Sequence, residues 1–507
     1  MSNMEHFNYF NTDEESFFTP GKQLSNIAKV KPDKPALIYV SPEKKESVMT
    51  WRELERLSNR IGWYLLAQGV GPGKSVVVAL PNIPTHIALA FGIWKAGGCY
   101  VPVSNRVPQK NMLEICECVS PSLVVTNRKK PAGYTSLSTS ELKELCASCS
   151  DEMPPDVFAI PNIANCSGGT TGKTKVIQRN MPAGESDEGL RFYFAISGMN
   201  FEERQLLAGP LFHGAPLTAA VNGLYCGNTL VMPATFEADN IVNLIKKHQV
   251  EYVQMVPTLM QRIIKLPDFK KEDLASLKAL CHTGGICSKD LKEQWLEIMP
   301  PEKLYEMYSM TECIGMTYIR GDEWLQHRGS VGRMVGGSIS IRGEDGCELP
   351  NGEIGEIFMN WGENSPKVVY KNVPQIEADE KGFKSVGDMG YLDDDGYLYF
   401  ADRRSDMIVT GGENVFAAEV EEVLKKHKKV NEAVVIGLPD KEWGHRIHAL
   451  VESSEPVSSK ELIKFALDYL PPYKIPKSFE FLEEIPRNES GKFVRSKLIE
   501  ESLEKGY

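Results

Sequence analysis

Ser167-Gly168-Gly169-Thr170-Thr171-Gly172-Lys173-Thr174-Lys175 is the most informative stretch of this 507-residue sequence. Its three glycines disfavour a helix or a strand, and they allow several backbone N–H groups to point toward one anion. The hydroxyl side chains and the two lysines add hydrogen-bond donors and positive charge. The stretch therefore predicts a loop that binds phosphate, with a flexible surface loop as the alternative.

The same stretch nearly matches the nucleoside-triphosphate loop G-x-x-x-x-G-K-[ST], whose first residue is glycine. Ser167 stands at that first position here. The nine residues alone leave both kinds of phosphate loop open. The segments before and after them decide between the two.

Short apolar runs alternate with segments of helical periodicity on both sides of this loop. The apolar runs are SVVVAL, CYVPV and SLVVTN before the loop, and NTLVM, EYVQMV and LKALC after it. Each pair of runs is separated by a segment long enough for a helix. This alternation is typical of parallel strands joined by helices, so we predict an α/β fold with two doubly wound sheets.

The pattern changes in the last third of the chain. Between about residues 330 and 400, glycines interrupt short runs such as GEIGEIFM, which predicts hairpins in a small barrel or antiparallel sheet. After Asp402, strand-like and helical segments alternate again over about a hundred residues. We therefore expect a small, separate α+β domain at the carboxyl terminus.

Composition narrows the partners and the compartment. Hydrophobic residues make up 42% and charged residues 25% of the chain, which is ordinary for a globular protein. The formal charge of −11 and the lack of basic runs argue against nucleic acid. We find no secretory signal at the acidic amino terminus and no apolar run of the ~18 residues that a membrane span needs. Eleven scattered cysteines indicate reduced thiols, so we expect a cytoplasmic protein.

Several further segments agree on one family. They are, in order, TWREL (50–54), WKAGGCYVP (94–102), YSMTE (308–312), SVGD (385–388), DRRSD (402–406) and GK (491–492). Together with the loop at 167–175, they resemble the core motifs of the adenylate-forming superfamily of acyl-CoA synthetases, luciferases and peptide-synthetase adenylation domains. The resemblance covers about residues 20 to 500. It implies an enzyme that uses ATP and Mg²⁺ to turn a carboxylic acid into an acyl-adenylate, most often for transfer to coenzyme A.

The resemblance also implies roles for residues around the nucleotide. In the loop, Thr170, Thr171 and Lys175 would contact the β- and γ-phosphates. Tyr308 would offer its ring to adenine and Thr311 its hydroxyl to a phosphate. The other nucleotide-binding positions that it implies are Ser167, Gly168, Gly169, Gly172, Gly284, Gly285, Ser309, Asp388 and Arg403. Asp388 would bind the ribose hydroxyls, and Ser309 stands where the family usually has glycine.

Two charged residues would act where the reacting groups meet. Glu312 would bind Mg²⁺, which prefers carboxylate, phosphate and water oxygens. Lys492 would bridge the substrate carboxylate and the α-phosphate, because its ammonium offsets negative charge where two anions approach. By the same resemblance, Gly411 and Gly412 would line the tunnel for the pantetheine arm of coenzyme A.

The resemblance implies two domains and a hinge. Residues 1–402 would bind ATP and the acid, and residues 403–507 would form a mobile domain that carries the catalytic lysine. The hinge would lie near residues 402–406, since hinges are short loop segments that absorb dihedral changes. Ser405 replaces the Asp or Lys that the family usually has at the pivot.

Fewer residues indicate which carboxylic acid is the substrate and which thiol accepts the acyl group. His213 in GPLFHGAP stands where peptide-synthetase domains have the aspartate that pairs with an α-amino group, so an amino acid is disfavoured. The same histidine resembles that of acyl- and aryl-CoA synthetases, which implies that it gates or lines the acyl pocket at the catalytic site. The chain ends at Tyr507 without a carrier-protein module, which favours free coenzyme A. The segments GPLFHGAP, LCHTGG, YEMYSMTECIG and DRRSDMIVTGGENVFA, including the serines at 309 and 405, resemble the bile-acid–CoA ligase branch, and would imply a steroid acid such as cholate.

Alternatives remain open from the sequence. One is an aryl- or medium-chain fatty-acid–CoA ligase, and another is an adenylating enzyme that loads a carrier protein. A third is a nucleotide-binding module without turnover. The sequence is also compatible with a homodimer.

Overall fold

The computed structural model describes residues 17–168, 174–362, 365–403, 406–410, 413–488 and 493–507, without the side chains of Ser167, Gly168, Thr174, Arg403 and Asn414. The chain divides into two compact units. The first unit contains residues up to 167, residues 174–328 and residues 363–375, and the second contains residues 168–173, 329–362 and 376–507.

The first unit contains a mostly parallel sheet, sheet A. Its strands lie in the spatial order Met316–Arg320, Leu304–Ser309, Ala279–His282, Tyr252–Met255, Arg204–Leu207, Thr229–Pro233, Pro35–Val40 and Glu46–Thr50. The six inner strands are parallel, and Met316–Arg320 and Glu46–Thr50 pair antiparallel with their neighbours. The helices that follow its strands are Gly214–Tyr225, Ala238–His248, Pro257–Ile264 and Lys289–Ile298.

A second sheet in this unit, sheet B, has its own parallel centre. Its strands lie in the order Val368–Tyr370, Thr174–Arg179, Ile163–Gly168, Cys99–Pro102, Ser75–Ala79, Leu123–Thr126 and Ser136–Leu137. The helices Pro84–Lys95, Gln109–Val119 and Thr139–Cys146 join them. Val76, Val77 and Val78 are fully buried, as expected for a strand that has helices on both faces. The two predicted α/β sheets are confirmed.

The remaining elements of the first unit are short or peripheral. Its other helices are Pro20–Val30, Trp51–Ala67, Asp187–Ser197 and Gly321–Trp324, with 3₁₀ turns at Lys271–Leu274 and Pro301–Lys303 and a two-stranded ribbon of Phe17–Phe18 and Glu185–Ser186.

The second unit contains two further sheets. Antiparallel sheet C consists of Ser338–Arg342, Gly355–Asn360, Asp388–Leu392 and Leu398–Arg403, and Arg333–Met334 is a short strand of the same unit. Sheet D consists of Glu413–Phe416, Met407–Thr410, Gly444–Ser453, Val430–Asp440 and Ser478–Leu482, with helices Ala417–Lys425, Ser459–Ala466 and Arg495–Glu504 and a 3₁₀ turn at Pro472–Lys474. The antiparallel strands agree with the glycine-interrupted pattern. The boundary at residues 402–403 stays a prediction, and sheet C falls in the same compact unit as sheet D.

The motifs TWREL (50–54) and WKAGGCYVP (94–102) have structural roles. Thr50 caps helix Trp51–Ala67, and the Glu53 carboxylate accepts the Thr50 N–H at 2.7 Å, which forms a capping box. Lys95 is 4% exposed, and its ammonium donates to Glu55, Ser58 and Asn59 at 2.5 to 2.9 Å. This buried network joins the helices that the motifs begin and end.

All eleven cysteines are free thiols, as the sequence predicted. Among the helices of the described residues, none combines the length and the apolar character that a membrane crossing requires.

A buried carboxyl group just before strand Arg204–Leu207 of sheet A should make stability depend on pH. Burial raises the pKa of Glu203 to about 7, and this carboxyl accepts the Asn200 N–H at 2.9 Å. Because an unfolded glutamate titrates near ~4.3, the folded state binds the extra proton between about pH 4 and pH 7, and wild-type stability falls as the pH rises through that window. We expect Glu203→Gln to raise the free energy of unfolding by on the order of 1 kcal/mol at pH 8 and to change it little at pH 5. Thermal unfolding at both pH values measures this, and an equal shift at the two values would contradict it.

Candidate active site

The carboxyl edge of sheet A carries several of the predicted site residues. Strands Ala279–His282 and Leu304–Ser309 are adjacent and parallel, so Gly284 and Tyr308 follow or end neighbouring strands at one edge. Open α/β sheets bind ligands at this edge. Gly284 has a φ of +80°, a conformation that favours glycine, and a Cβ on Gly285 would lie 3.6 Å from Pro257 Cδ.

Thr311 and Glu312 lie in the tight connection of a hairpin. Tyr308 pairs with Thr317, and the Ser309 hydroxyl donates to the Gly315 carbonyl at 3.2 Å across the base of the connection. Cys313 adopts a left-handed φ of +50°, and its N–H donates to the Met310 carbonyl at 3.0 Å. The serine that departs from the family pattern therefore closes the hairpin that presents Glu312.

Glu312 and Lys175 meet at a residue that no motif pointed to. The Tyr370 hydroxyl donates to Glu312 Oε1 at 2.8 Å, and Lys175 Nζ lies 5.9 Å from the centre of the Tyr370 ring. The tyrosine is 9% exposed, and its burial raises the pKa of its hydroxyl, which stays a donor at neutral pH. The structure thus brings the predicted metal ligand and the predicted phosphate ligand to one side chain.

The strand that carries Tyr370 is fixed from both sides. It pairs antiparallel with Thr174–Arg179, with Tyr370 opposite Ile177. Gln375 accepts the Tyr370 N–H at 2.9 Å and donates to its carbonyl at 2.6 Å. Asn372 Oδ1 accepts the Val176 N–H at 3.0 Å. These bonds attach the tyrosine to the strand that leaves the predicted phosphate loop.

His213 begins the helix that follows strand Arg204–Leu207. It is the N-cap residue of Gly214–Tyr225, its ring lies 4.3 Å from that of Phe212, and its carbonyl accepts the Leu217 N–H at 3.1 Å. The first turn of the helix has no acidic residue. An ammonium group at this position would have no carboxylate partner within the turn.

A buried ionic triad lies directly below the carboxyl edge. The Lys292 ammonium donates to His282 Nε2 at 2.8 Å and to Glu306 Oε2 at 2.9 Å. Since an ammonium only donates, Nε2 accepts and the imidazole proton lies on Nδ1. Burial and the neighbouring Lys292 hold the pKa of His282 well below its ordinary value, while burial raises the pKa of Glu306. The triad joins strand Ala279–His282 to strand Leu304–Ser309, and no sequence pattern indicated it.

In the second unit, Asp388 begins a strand of sheet C and lies opposite Arg403. It is 3% exposed. Gly169, Thr170, Thr171, Gly172, Gly411, Gly412 and Lys492 lie outside the described residues, as do the side chains of Ser167, Gly168 and Arg403. The roles given to all these residues stay predictions.

The described segments on either side of Lys492 are held to the rest of the second unit by a β-bridge and ion pairs. Arg487 and Phe493 form an antiparallel bridge, with the guanidinium 4.0 Å from the ring centre. Arg487 also pairs with Glu432 at 2.8 Å. Arg495, three residues after the lysine, pairs with Asp406 at 2.8 Å and with Glu421 at 2.6 Å. No sequence motif pointed to Arg495, although it lies only three residues after Lys492.

Two sequence models of known families match this chain. The sequence model described as "AMP-binding enzyme" matches residues 24–364 of this chain, about two thirds of its length. The chain belongs to the AMP-binding enzyme family. The model of the C-terminal domain of AMP-binding enzymes matches residues 419–492. The predicted membership in the adenylate-forming superfamily is confirmed.

Individual AMP-binding enzymes resemble the chain over nearly its whole length. It is 30% identical to 2-succinylbenzoate–CoA ligase of Bacillus subtilis strain 168, over 94% of this chain and 96% of that one. It is 29% identical to long-chain-fatty-acid–CoA ligase FadD13 of Mycobacterium tuberculosis, over 95% and 98%. A solved structure of o-succinylbenzoate coenzyme A synthetase from Bacillus subtilis, in complex with ATP and magnesium ion, superposes with a TM-score of 0.78 at 28% identity and covers 94% of this chain and 98% of that one. Homologous ligases therefore bind ATP with magnesium and use CoA as a substrate.

Proposed function

We propose that this AMP-binding enzyme is an AMP-forming acid–CoA ligase that acts on a bulky apolar carboxylic acid. The observation that carries the proposal is the convergence of Glu312 and Lys175 on Tyr370, together with Tyr308 and Gly284 at one edge of sheet A. This arrangement offers a carboxylate for a metal ion and an ammonium for phosphate oxygens within one small region. Family membership of the whole chain supports the same reaction class.

The donor set fits magnesium. Glu312 is a half-buried carboxylate, and Mg²⁺ takes carboxylate and phosphate oxygens. When bound, the ion would offset charge on the phosphates of ATP. Lys175 adds a second positive charge for the phosphates, and the Thr311 hydroxyl would donate to them.

In the proposed reaction, an oxygen of the substrate carboxylate attacks the α-phosphorus of ATP. The bond from that phosphorus to the bridging oxygen breaks, and pyrophosphate leaves. Lys492 would hold the carboxylate and the α-phosphate together, which lowers the cost of bringing two anions into line. The thiol sulfur of CoA then attacks the acyl carbon, the bond from that carbon to the phosphate oxygen breaks, and AMP and the thiol proton are released.

We propose a bile acid such as cholate as the first substrate to test, on the resemblance of the segments around His213, Gly284, Ser309 and Ser405 to the bile-acid–CoA ligase branch. The names of the two relatives point instead to an aryl acid and to long-chain fatty acids. These acids are the second candidates. We propose the cytoplasm as the site of action, where ATP and CoA are supplied, and a homodimer remains to be measured by light scattering.

A pyrophosphate-release assay with cholate, benzoate, octanoate and acetate tests the proposal. We expect release that requires both ATP and an acid, with cholate exceeding acetate by more than about tenfold, because apolar burial discriminates bulky from small acids by such factors. A preference for acetate would contradict a bulky substrate. If benzoate or octanoate exceeds cholate, the steroid proposal gives way to the aryl or fatty-acid alternative.

The acceptor needs a separate measurement. Mass spectrometry after addition of CoA should detect the acyl-CoA thioester. Accumulation of the acyl-adenylate without thioester would favour an enzyme that loads a carrier protein, and no turnover with any acid would favour a nucleotide-binding module.

A further inference from the structure

Tyr370 lies between two residues that the proposed function requires. Its hydroxyl donates to Glu312 Oε1, and its ring lies beside Lys175 Nζ. That bond engages one of the two carboxylate oxygens of Glu312, whose side chain is only half-buried. The tyrosine therefore occupies one carboxylate oxygen and leaves the other for an ion.

A neutral donor suits this position. An ammonium or guanidinium beside Glu312 would compete with a metal ion for the carboxylate charge, whereas a phenol hydroxyl orients the carboxylate without neutralising it. Hydrogen bonds of this kind to metal-binding carboxylates commonly set their direction and raise metal affinity. The ring also offers its negative face to Lys175, which limits where that ammonium can go.

The tyrosine is itself held in place. Both backbone groups of Tyr370 bond to the Gln375 side chain, and the strand pairs with Thr174–Arg179. With the backbone fixed in this way, only the two side-chain torsions of a largely buried ring remain. A group so constrained can fix the separation of the two charged residues that it touches.

We infer that Tyr370 is a positioning residue that orients the Glu312 carboxylate for magnesium and keeps Lys175 beside the phosphates of ATP. The inference rests on the proposed function, since it assumes that Glu312 binds the metal ion. Tyr370 itself would not contact the substrate. The tyrosine would act only through Glu312 and Lys175.

The variant Tyr370→Phe removes the hydroxyl and keeps the ring. We would measure ATP binding by isothermal titration calorimetry without any acid present, once in EDTA and once across a magnesium titration. We expect ATP binding in EDTA to be unchanged, and the magnesium concentration for half-maximal tightening to rise about 10- to 100-fold, as for other residues that support metal ligands. An unchanged magnesium requirement would overturn the inference.

Two further variants separate positioning from a general structural effect. Tyr399→Phe removes another tyrosine hydroxyl that donates to a carboxylate, Asp393 Oδ2 at 3.2 Å, and should leave the magnesium requirement unchanged. Tyr370→Phe combined with Glu312→Gln should show the magnesium response of Glu312→Gln alone, because the hydroxyl acts through that carboxylate. If the Tyr370→Phe effect persists in the Glu312→Gln background, the hydroxyl acts by another route and the inference is wrong.

The ring is tested by Tyr370→Leu. Loss of the contact with Lys175 should weaken ATP binding in EDTA by about two- to fivefold, a change that Tyr370→Phe does not produce. Equal ATP binding by the two variants would contradict the role given to the ring. Failure of the proposed function looks different, because the wild-type protein itself would then show no magnesium-dependent ATP binding and no acid-dependent pyrophosphate release.

Discussion

Lys492→Ala is expected to lose at least about 100-fold of the acid-dependent pyrophosphate release while the protein stays folded. Removing one group that stabilises developing charge typically costs ~100- to 1,000-fold in rate, and the lysine would act where two anions approach. The loss should appear in the adenylation step, measured in a single turnover with ATP in excess. Thioester formation from a supplied acyl-adenylate should be less affected.

Lys497→Ala provides the matched control for this experiment. Lys497 lies five residues later on helix Arg495–Glu504, and its side chain is 65% exposed with only a loose pairing to Glu501 at 3.4 Å. Exposed pairs of this kind contribute little, so this variant should retain activity. Normal adenylation by Lys492→Ala would show that the role assigned to Lys492 is wrong.

Lys292→Met should destabilise the first unit more than any surface change. It leaves the Glu306 carboxylate buried without its ammonium, and breaking a buried ion pair in this way costs about 3 to 5 kcal/mol. Thermal unfolding measures the loss. The double variant Lys292→Met, Glu306→Gln should recover part of it, because it removes the unpaired charge.

The stability loss of the single variant Lys292→Met should depend on pH. Without Lys292, burial disfavours the charged form of Glu306. The pKa of its carboxyl is therefore higher in the folded than in the unfolded chain. Such a carboxyl favours folding at low pH, and the favourable contribution is lost as the pH rises toward the folded-state pKa. The deficit relative to wild type should therefore be smaller at pH 5.5 than at pH 8. A deficit that is the same at both values would indicate that lost packing, rather than charge, causes it.

Hydrophobic periodicity and the positions of glycines predicted the helices and strands of the fold well. Helix Ala238–His248 lies between the runs NTLVM and EYVQMV, and helix Pro257–Ile264 lies between EYVQMV and LKALC, as the alternation predicted. Both helices have clear apolar spacing, and Pro257 begins the second at a position where proline is favoured, so local sequence largely determines them. The segment TWREL resembles a family motif, and in the structure it begins helix Trp51–Ala67.

The contacts within the site were much less accessible from sequence. Tyr370 is separated from Glu312 by 58 residues and from Lys175 by about 200, and Val368–Tyr370 is a three-residue strand with no periodicity of its own. Its place depends on strand pairing across the sheet, which a single sequence does not encode locally. Lys292, His282 and Glu306 likewise read as ordinary helix and strand residues until the packing brings them together.

The paired arginines beside Lys492 have a mechanical consequence. Arg495 ties the residues after the lysine to Asp406, at the end of the predicted hinge, and Arg487 ties those before it to Glu432. A rotation at the predicted hinge would therefore move Arg487 and Arg495 together with their partners Glu432 and Asp406, without breaking these ion pairs. The spacing between these two arginines would then be the same before and after the rotation, and the free energy of the movement would depend on contacts elsewhere.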